Sequence, residues 1–309
     1  MKASKRLFIR GLFQKARKEA FAIGAFNFSD SVTARGIAVA AAKMRAPVIL
    51  STSEGEAGVI TPQVARGVVD GLSTLHKMPF ILHLDHGKSL EMVKEAIKAG
   101  YDSVHIDGSA LPYKENVSLT RKVVRYAHAR GVFVEGELGH IGGGSTLHKK
   151  RTYKDVLKNA VLTDPDLAAQ FVRATGVDSL AVNVGNVHGV WKGEPHIDVP
   201  RLRSIVEKTG VFVVLHGGSG IPARQVRSAI RVGIDKVNIN SEMRIAYTSA
   251  LRGALRDRSL FVPREYLPLA QKAVEGVVRK KLELFMSKGK VGKSARVVPR
   301  GFERMRGGE

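Results

Sequence analysis

Eight short runs rich in β-branched and aromatic residues alternate with longer helical patterns along most of the chain, and this alternation limits the fold more than any other feature. The runs are AIGAFNF (22–28), PVILST (47–52), FILHLD (80–85), SVHID (103–107), VFVEGEL (132–138), SLAVNV (179–184), VFVVLH (211–216) and KVNIN (236–240). Between them lie segments with helical spacing, among them LEMVKEAIKAG, LTRKVVRYAHARG, DLAAQFVRATG and ARQVRSAIRVG, several closing on a glycine just before a strand. A glycine in that place is a helix stop signal. Strands that alternate with helices predict a parallel sheet, and eight such units in roughly 240 residues predict a closed (β/α)8 TIM barrel. An open doubly wound sheet calls for a G-x-G-x-x-G turn after the first strand; this chain reads SDSVTARG there.

The start, MKASKRLFIRGLFQKARKEAF, is basic and amphipathic in the manner of a transit peptide. It leads straight into the first strand and carries Glu19, so it is read as a first helix of the fold. EYLPLAQKAVEGVVRKKLELFMSKG reads as a closing helix. The expected organisation is one barrel domain over residues 1–287, with an N-terminal helix and a C-terminal helical extension, then a basic, loosely attached tail over 288–309. Between the fifth strand and the helix near 165–174 runs GHIGGGSTLHKKRTYKDVLKNAVLTDP, too long for an ordinary βα connection and therefore read as functional or mobile, with its glycines as a lid hinge.

There is no cysteine, which excludes disulfides and thiolate ligands and fits a cytoplasmic protein, so any metal must be held by His, Asp or Glu. No window approaches the ~18 apolar residues of a membrane span. The net charge of +22 raises nucleic acid or an anionic substrate as partners.

Barrel active sites lie at the C-terminal ends of the strands. Read there, the chain offers Asn27, Ser53 and Glu54, Asp85 and His86, Asp107, Glu135 and Glu137, Asn186 and His188, His216, Asn238 and Asn240. His86, His188 and His216 thus converge on one mouth from strands three, six and seven. Three neutral imidazoles with an open fourth position describe a catalytic zinc site. His83, two residues before Asp85, belongs one layer deeper, and His76, His105, His128 and His196 are read as structural. LHGGSGIP (215–222) combines a ligand candidate with a glycine turn at a helix start, where backbone N–H groups and Ser219 form an anion cradle. Its place after strand seven predicts a phosphorylated substrate.

The motifs HLDHG (83–87), SVHIDGSALPYKEN (103–116), VEGELG (134–139), TGVDSLAVNVGNVHGVWKGEP (175–195), LHGGSGIP (215–222) and KVNINSEMRIAY (236–247) together resemble the class II, metal-dependent fructose-bisphosphate aldolases and their tagatose-bisphosphate relatives, over about residues 5–290. The resemblance implies Zn2+, or another divalent cation, on His86, His188 and His216, with Glu137 and Asp107 near a second metal position. It implies Asp85 as the acid/base at the C4 hydroxyl. It implies Asn27, Ser53, Gly189, Gly217, Ser219 and Asn238 as contacts of the dihydroxyacetone-phosphate half, Arg244 as holder of the distant phosphate, and a monovalent cation (Na+ or K+) near the glycine loops. The expected enzyme is a homodimer or homotetramer that cleaves fructose 1,6-bisphosphate. The rival aldolase chemistry, a lysine Schiff base, finds no lysine at a strand's C-terminal end; Lys236 opens the eighth strand at its other end.

Two places depart from that pattern. The loop after LG-x-x-GG carries no carboxylate before Asp155 and is basic, so either His148 or a relocated acid handles the proton at the enediolate carbon, or the substrate differs. Asn240 stands where an Asp or a small residue is expected to read the C4 side, which leaves fructose and tagatose both open. A reading of another class is a non-catalytic protein on the same fold that binds nucleic acid through its basic surface; the tail offers few aromatics for base stacking.

Overall fold

A computed structural model describes residues 5–142, 147–158, 160–193 and 195–292, with backbone alone for 147–151. Eight parallel strands close into a barrel: β1 (Ile23–Asn27), β2 (Val48–Ser53), β3 (Ile81–Gly87), β4 (Ser103–Ile106), β5 (Phe133–Leu138), β7 (Ser179–Val182), β9 (Phe212–Leu215) and β10 (Ile234–Ile239), with β10 pairing back to β1. Every residue of β1, β4, β7, β9 and β10 is buried. That is the consequence of a parallel sheet covered on both faces, and it is why these strands read as nearly unbroken apolar runs. The helices fall where the sequence places them; Gly176, left-handed at φ 72°, stops the helix Pro165–Thr175 before β7.

β6 (Leu147–Thr152) and β8 (Val190–Lys192) form a small parallel pair outside the barrel. Part of the long connection after β5 is thus tied to the loop that carries His188, and the His188 N–H also donates to Gly142 O at 2.9 Å. Gly143 and Gly144, two of the expected hinge glycines, lie outside the described residues.

The N-terminal helix (Lys5–Lys18) closes the bottom of the barrel. Its Ile9 and Phe13 pack among the first residues of the strands, Ile23, Ile49, Ile81, Phe133 and Phe212. The Phe13 ring lies 5.0 Å from that of Phe133 and 5.1 Å from that of Phe212. Its basic residues meet three buried aspartates at the same end. Lys5 pairs with Asp102 at 3.3 Å, Arg6 and Arg10 with Asp178 at 2.9 and 2.8 Å, and Arg17 with Asp235 at 2.5 Å. The basic, amphipathic start of the sequence is therefore spent on the barrel floor.

The C-terminal helix Pro263–Leu284 packs on the helices Ser31–Met44 and Ser241–Ala254. Beyond it the chain stays docked past residue 287, where the sequence reading begins the tail: the N–H groups of Gly289 and Val291 donate to Met44 O and Arg45 O, both at 2.9 Å. Residues 293–309 lie outside the described residues. Among the described residues no helix is long and apolar enough to cross a membrane.

Because Phe13 fills the barrel floor with no neighbour free to collapse into its space, Phe13→Ala lowers the unfolding free energy by about 3–5 kcal/mol in urea denaturation. A loss under ~1 kcal/mol would contradict the packing described.

Candidate active site

In a regular strand consecutive side chains point to opposite faces, so Asp85 and His86 cannot both reach one site unless the strand is broken. It is. The register between β3 and β4 shifts between Leu84 and Gly87, and His86 adopts φ 50° in the left-handed region. This bulge re-aims His86, whose N–H leaves the ladder and donates to His105 Nδ1 at 3.1 Å. A non-glycine residue at positive φ is uncommon, although His adopts it more readily than most, and such conformations collect at functional sites.

The imidazoles of His86, His188 and His216 come together at the mouth, with ring centroids 4.6 Å (His86–His216), 4.9 Å (His86–His188) and 5.9 Å (His188–His216) apart. Two carboxylates set their tautomers. Asp107 Oδ2 lies 2.9 Å from His86 Nδ1, and Glu135 Oε1 lies 2.7 Å from His216 Nε2. Carboxylates accept, so each of those nitrogens carries the proton and the other nitrogen of each ring presents a lone pair. Those two lone pairs, on His86 Nε2 and His216 Nδ1, face each other at 2.9 Å. With both rings neutral, nothing in the protein donates between them. His188 Nε2 is buried without a hydrogen-bond partner, and burial, reinforced by the neighbouring His86 and His216, pushes its pKa down to about 3 and keeps the ring neutral. Two facing lone pairs, with the His188 ring beside them, fit a cation, and carboxylate-backed histidines are the usual arrangement around a metal. Potential ligand atoms of Asp85, His86, His105 and His216, and separately of His86, Asp107 and Glu137, lie within 4.8 Å of one another. Glu137 Oε2, the other acidic group expected near a second metal position, is buried without a hydrogen bond, 3.9 Å from His86 Nδ1.

Asp85 is buried beside them, its Oδ1 4.0 Å from both His86 Nε2 and His216 Nδ1. Asn238 Nδ2 donates to its Oδ1 and Asn27 Nδ2 to its Oδ2, each at 3.0 Å. Burial acts to raise its pKa, but the neighbouring His86, His105, His216 and Lys236 outweigh it and hold the carboxyl well below the ordinary range. One cleft is lined by Asn27, Asp85, His86, His188, Gly189, His216, Gly217, Ser219, Asn238 and Asn240, all named from the sequence, and by Ser241. Gly217 is obligatory: it has φ 61°, and a Cβ there would run into Val187 O. The glycine turn is not itself a helix start, since that helix begins at Ala223, and the Gly218 and Gly220 N–H groups are engaged by Asn238 O and Glu242 Oε1. The helix end that faces the cleft is instead that of Ser241–Ala254, which begins at Ser241 in the wall.

Ser53 and Arg244 do not line this cleft; both bond to Glu56. The backbone of His148, on β6, pairs with Trp191, and its side chain lies outside the described residues. Four contributors escape a reading of strand ends alone. His105, read as structural, stands inside the barrel 3.4 Å from Glu137 Oε2, and its position two residues before Asp107 already put it on that face. The second is Lys236, whose Nζ binds Glu135, the strand-end carboxylate behind His216, at 2.7 Å. Lys236 is buried in the barrel interior, because β10 begins at Ile234 and not at Lys236. Ser241 and Glu56 are the others.

A family model described as class II fructose-bisphosphate aldolase matches residues 9–290. The chain belongs to the class II fructose-bisphosphate aldolase family. It is 38% identical to a fructose-bisphosphate aldolase of Geobacillus stearothermophilus over 289 residues, 91% of this chain and 97% of the relative. The solved YdjI aldolase of Escherichia coli K12 superposes with a TM-score of 0.78 at 31% identity, covering 92% of this chain and 98% of that one. A structure from Coccidioides immitis superposes at 0.82 with 30% identity, over 94% and 99% of the two chains. The chain is accordingly a carbon–carbon lyase of a metal-dependent family that acts on phosphorylated sugars.

If Glu135 holds His216 in its ligand tautomer, Glu135→Gln leaves every imidazole in place yet weakens zinc binding by about 10–100-fold in a calorimetric titration. Unchanged affinity would remove Glu135 from that role.

Proposed function

We propose that this enzyme holds zinc on His86, His188 and His216 and catalyses the reversible aldol cleavage of a fructose-configured ketose phosphate, in the cytoplasm and as a homodimer or homotetramer. The observation that carries the reading is the pair of lone pairs on His86 Nε2 and His216 Nδ1, facing each other at 2.9 Å with both rings locked from behind by carboxylates. A set of three neutral imidazoles favours zinc over the oxygen-seeking cations, and Asp107 and Glu137 stand beside it for a displaced position. Bound there, the cation supplies a Lewis acid for the C2 carbonyl.

The protein's own groups do the rest. The phosphate on C1 would lie between the Gly217–Ser219 turn and the N-terminus of the helix Ser241–Ala254, whose dipole favours an anion; Gly189 and Asn238 would complete that side, where a monovalent cation near the glycine loops would offset its charge. Asp85, held ionised and fixed by Asn27 and Asn238, takes the C4 hydroxyl proton as the C3–C4 bond breaks and returns it on condensation. We assign the proton at C3 to His148, on the segment that β6 ties to the His188 loop. The name of the Geobacillus relative supports fructose over tagatose at C4, with Asn240 on that side of the cleft.

Chelation abolishes cleavage of fructose 1,6-bisphosphate and zinc or cobalt restores it, while Asp85→Asn lowers kcat by about 10²–10⁴-fold with zinc still bound. Full activity in a metal-stripped sample would contradict the mechanism. Tagatose 1,6-bisphosphate in the same assay separates the epimers. His148→Ala is expected to slow solvent exchange at C3 far more than it weakens binding, and unchanged exchange would exclude His148.

A further inference from the structure

Behind Asn27 and Asn240 of the cleft wall, donors converge on one side chain of the protein itself. Glu56 is only 7% exposed. Its Oε2 accepts from the Ser53 N–H at 2.8 Å, from Ser53 Oγ at 2.9 Å and from Asn27 Nδ2 at 2.9 Å. Its Oε1 accepts from Asn240 Nδ2 at 3.1 Å and from the Arg244 guanidinium at 2.5 Å. Part of this is local: Ser53 and Glu56 form the capping box of the helix Glu54–Ile60. The bonds to Asn27, Asn240 and Arg244 are not local, and no cap requires them.

A phosphate is held by donors and positive charge. Here the N–H and hydroxyl of Ser53 and an N–H of Arg244 are turned onto a carboxylate that backs Asn27 and Asn240 of the wall and is always present. A second phosphate entering here would have to displace Glu56 from these donors or sit against its charge, and like charges brought together in a dry site are costly. The same wall has the opposite polarity for a hydroxyl. Asn27 Nδ2 is bound to both Asp85 and Glu56, which fixes the amide orientation and leaves Asn27 Oδ1 buried with no partner. An unpaired buried acceptor calls for a donor, which a sugar hydroxyl has and a phosphate dianion lacks.

We propose that Glu56 is a specificity-determining residue: it occupies the donors of the distal end, so that the preferred substrate is a ketose 1-phosphate whose far end carries a free hydroxyl. This rests on the aldolase reading above. Cleavage of such a substrate needs no co-reactant. The C3–C4 bond breaks, the C4 hydroxyl loses its proton to Asp85 and becomes the aldehyde, and C3 gains a proton, giving dihydroxyacetone phosphate and an unphosphorylated hydroxyaldehyde. Glu56 acts here through Ser53 and Arg244, so its signature lies in KM for the distal group more than in kcat.

The test compares fructose 1-phosphate with fructose 1,6-bisphosphate on the zinc-loaded full chain and on Glu56→Ala and Glu56→Gln. The unaltered protein is expected to favour the monophosphate in kcat/KM by at least about tenfold, mainly through KM. Glu56→Ala shifts the ratio by at least about tenfold toward the bisphosphate, and Glu56→Gln, which keeps the shape and removes the charge, shifts it the same way by less. The double variant Glu56→Ala/Arg244→Ala loses that gain. Preference for the bisphosphate that neither Glu56 variant changes would overturn the inference and leave the aldolase reading standing. Cleavage of neither sugar would overturn both.

Discussion

The contact on which the site depends is the approach of His86 Nε2 to His216 Nδ1 at 2.9 Å. With both rings neutral, neither atom has a proton to give, because Asp107 and Glu135 hold the protons on the other side of each ring. Two neutral acceptors in contact are repulsive in a protein interior, so the barrel must impose the arrangement, and a cation there would relieve it. The imposition reaches deep into the core. Glu135 is bound by Lys236, Lys236 Nζ lies 3.3 Å from His83 Nε2, and His83 Nδ1 lies 2.6 Å from Ser103 Oγ. One buried polar chain thus runs from the middle of the barrel to the ligand at its mouth. A network of this kind is rigid when every member is satisfied, and costly when one is removed.

The two ends of the barrel use charge in opposite ways. At the floor, buried aspartates are neutralised by basic residues of the N-terminal helix, and the pairs do nothing but close the structure. At the mouth, carboxylates orient imidazoles and amides whose remaining polar atoms are left without protein partners, among them His188 Nε2, Asn27 Oδ1 and Asn238 Oδ1. Unsatisfied buried groups are rare in folded proteins and call for an explanation. At the mouth they stand with His105 Nε2 and Glu137 Oε2, around Asp85 and the imidazoles. The wall beside them is backed by the protein itself, through Glu56.

The barrel was legible in the sequence because parallel strands buried on both faces must be apolar throughout, and because their alternation with helices leaves few topologies. The strand-end rule then located His86, His188, His216, Asp85, Asn27 and Asn238, and the family motifs pointed to the same residues. What it misplaced follows from geometry that a linear reading lacks. The bulge at His86 obeys no alternation. His105 was passed over as structural although it shares a face with Asp107, since mid-strand histidines are usually only packed. Glu56 is visible in the sequence only as half of a capping box, because its contacts with Asn27, Asn240 and Arg244 come from the far side of the barrel's seam. The small β6–β8 pair was not foreseen either, as neither segment is apolar enough to signal a strand alone.

Three imidazoles, two of them preset by carboxylates, are proposed to form one metal site. Anomalous scattering recorded across the zinc edge, from crystals of the zinc-loaded protein, tests it without reference to activity. The account predicts a single strong peak at about 2.0–2.1 Å from one nitrogen each of His86, His188 and His216, with the His86–Asp107 and His216–Glu135 hydrogen bonds intact. A fully loaded protein whose zinc lies elsewhere, or is held without His188, would contradict it.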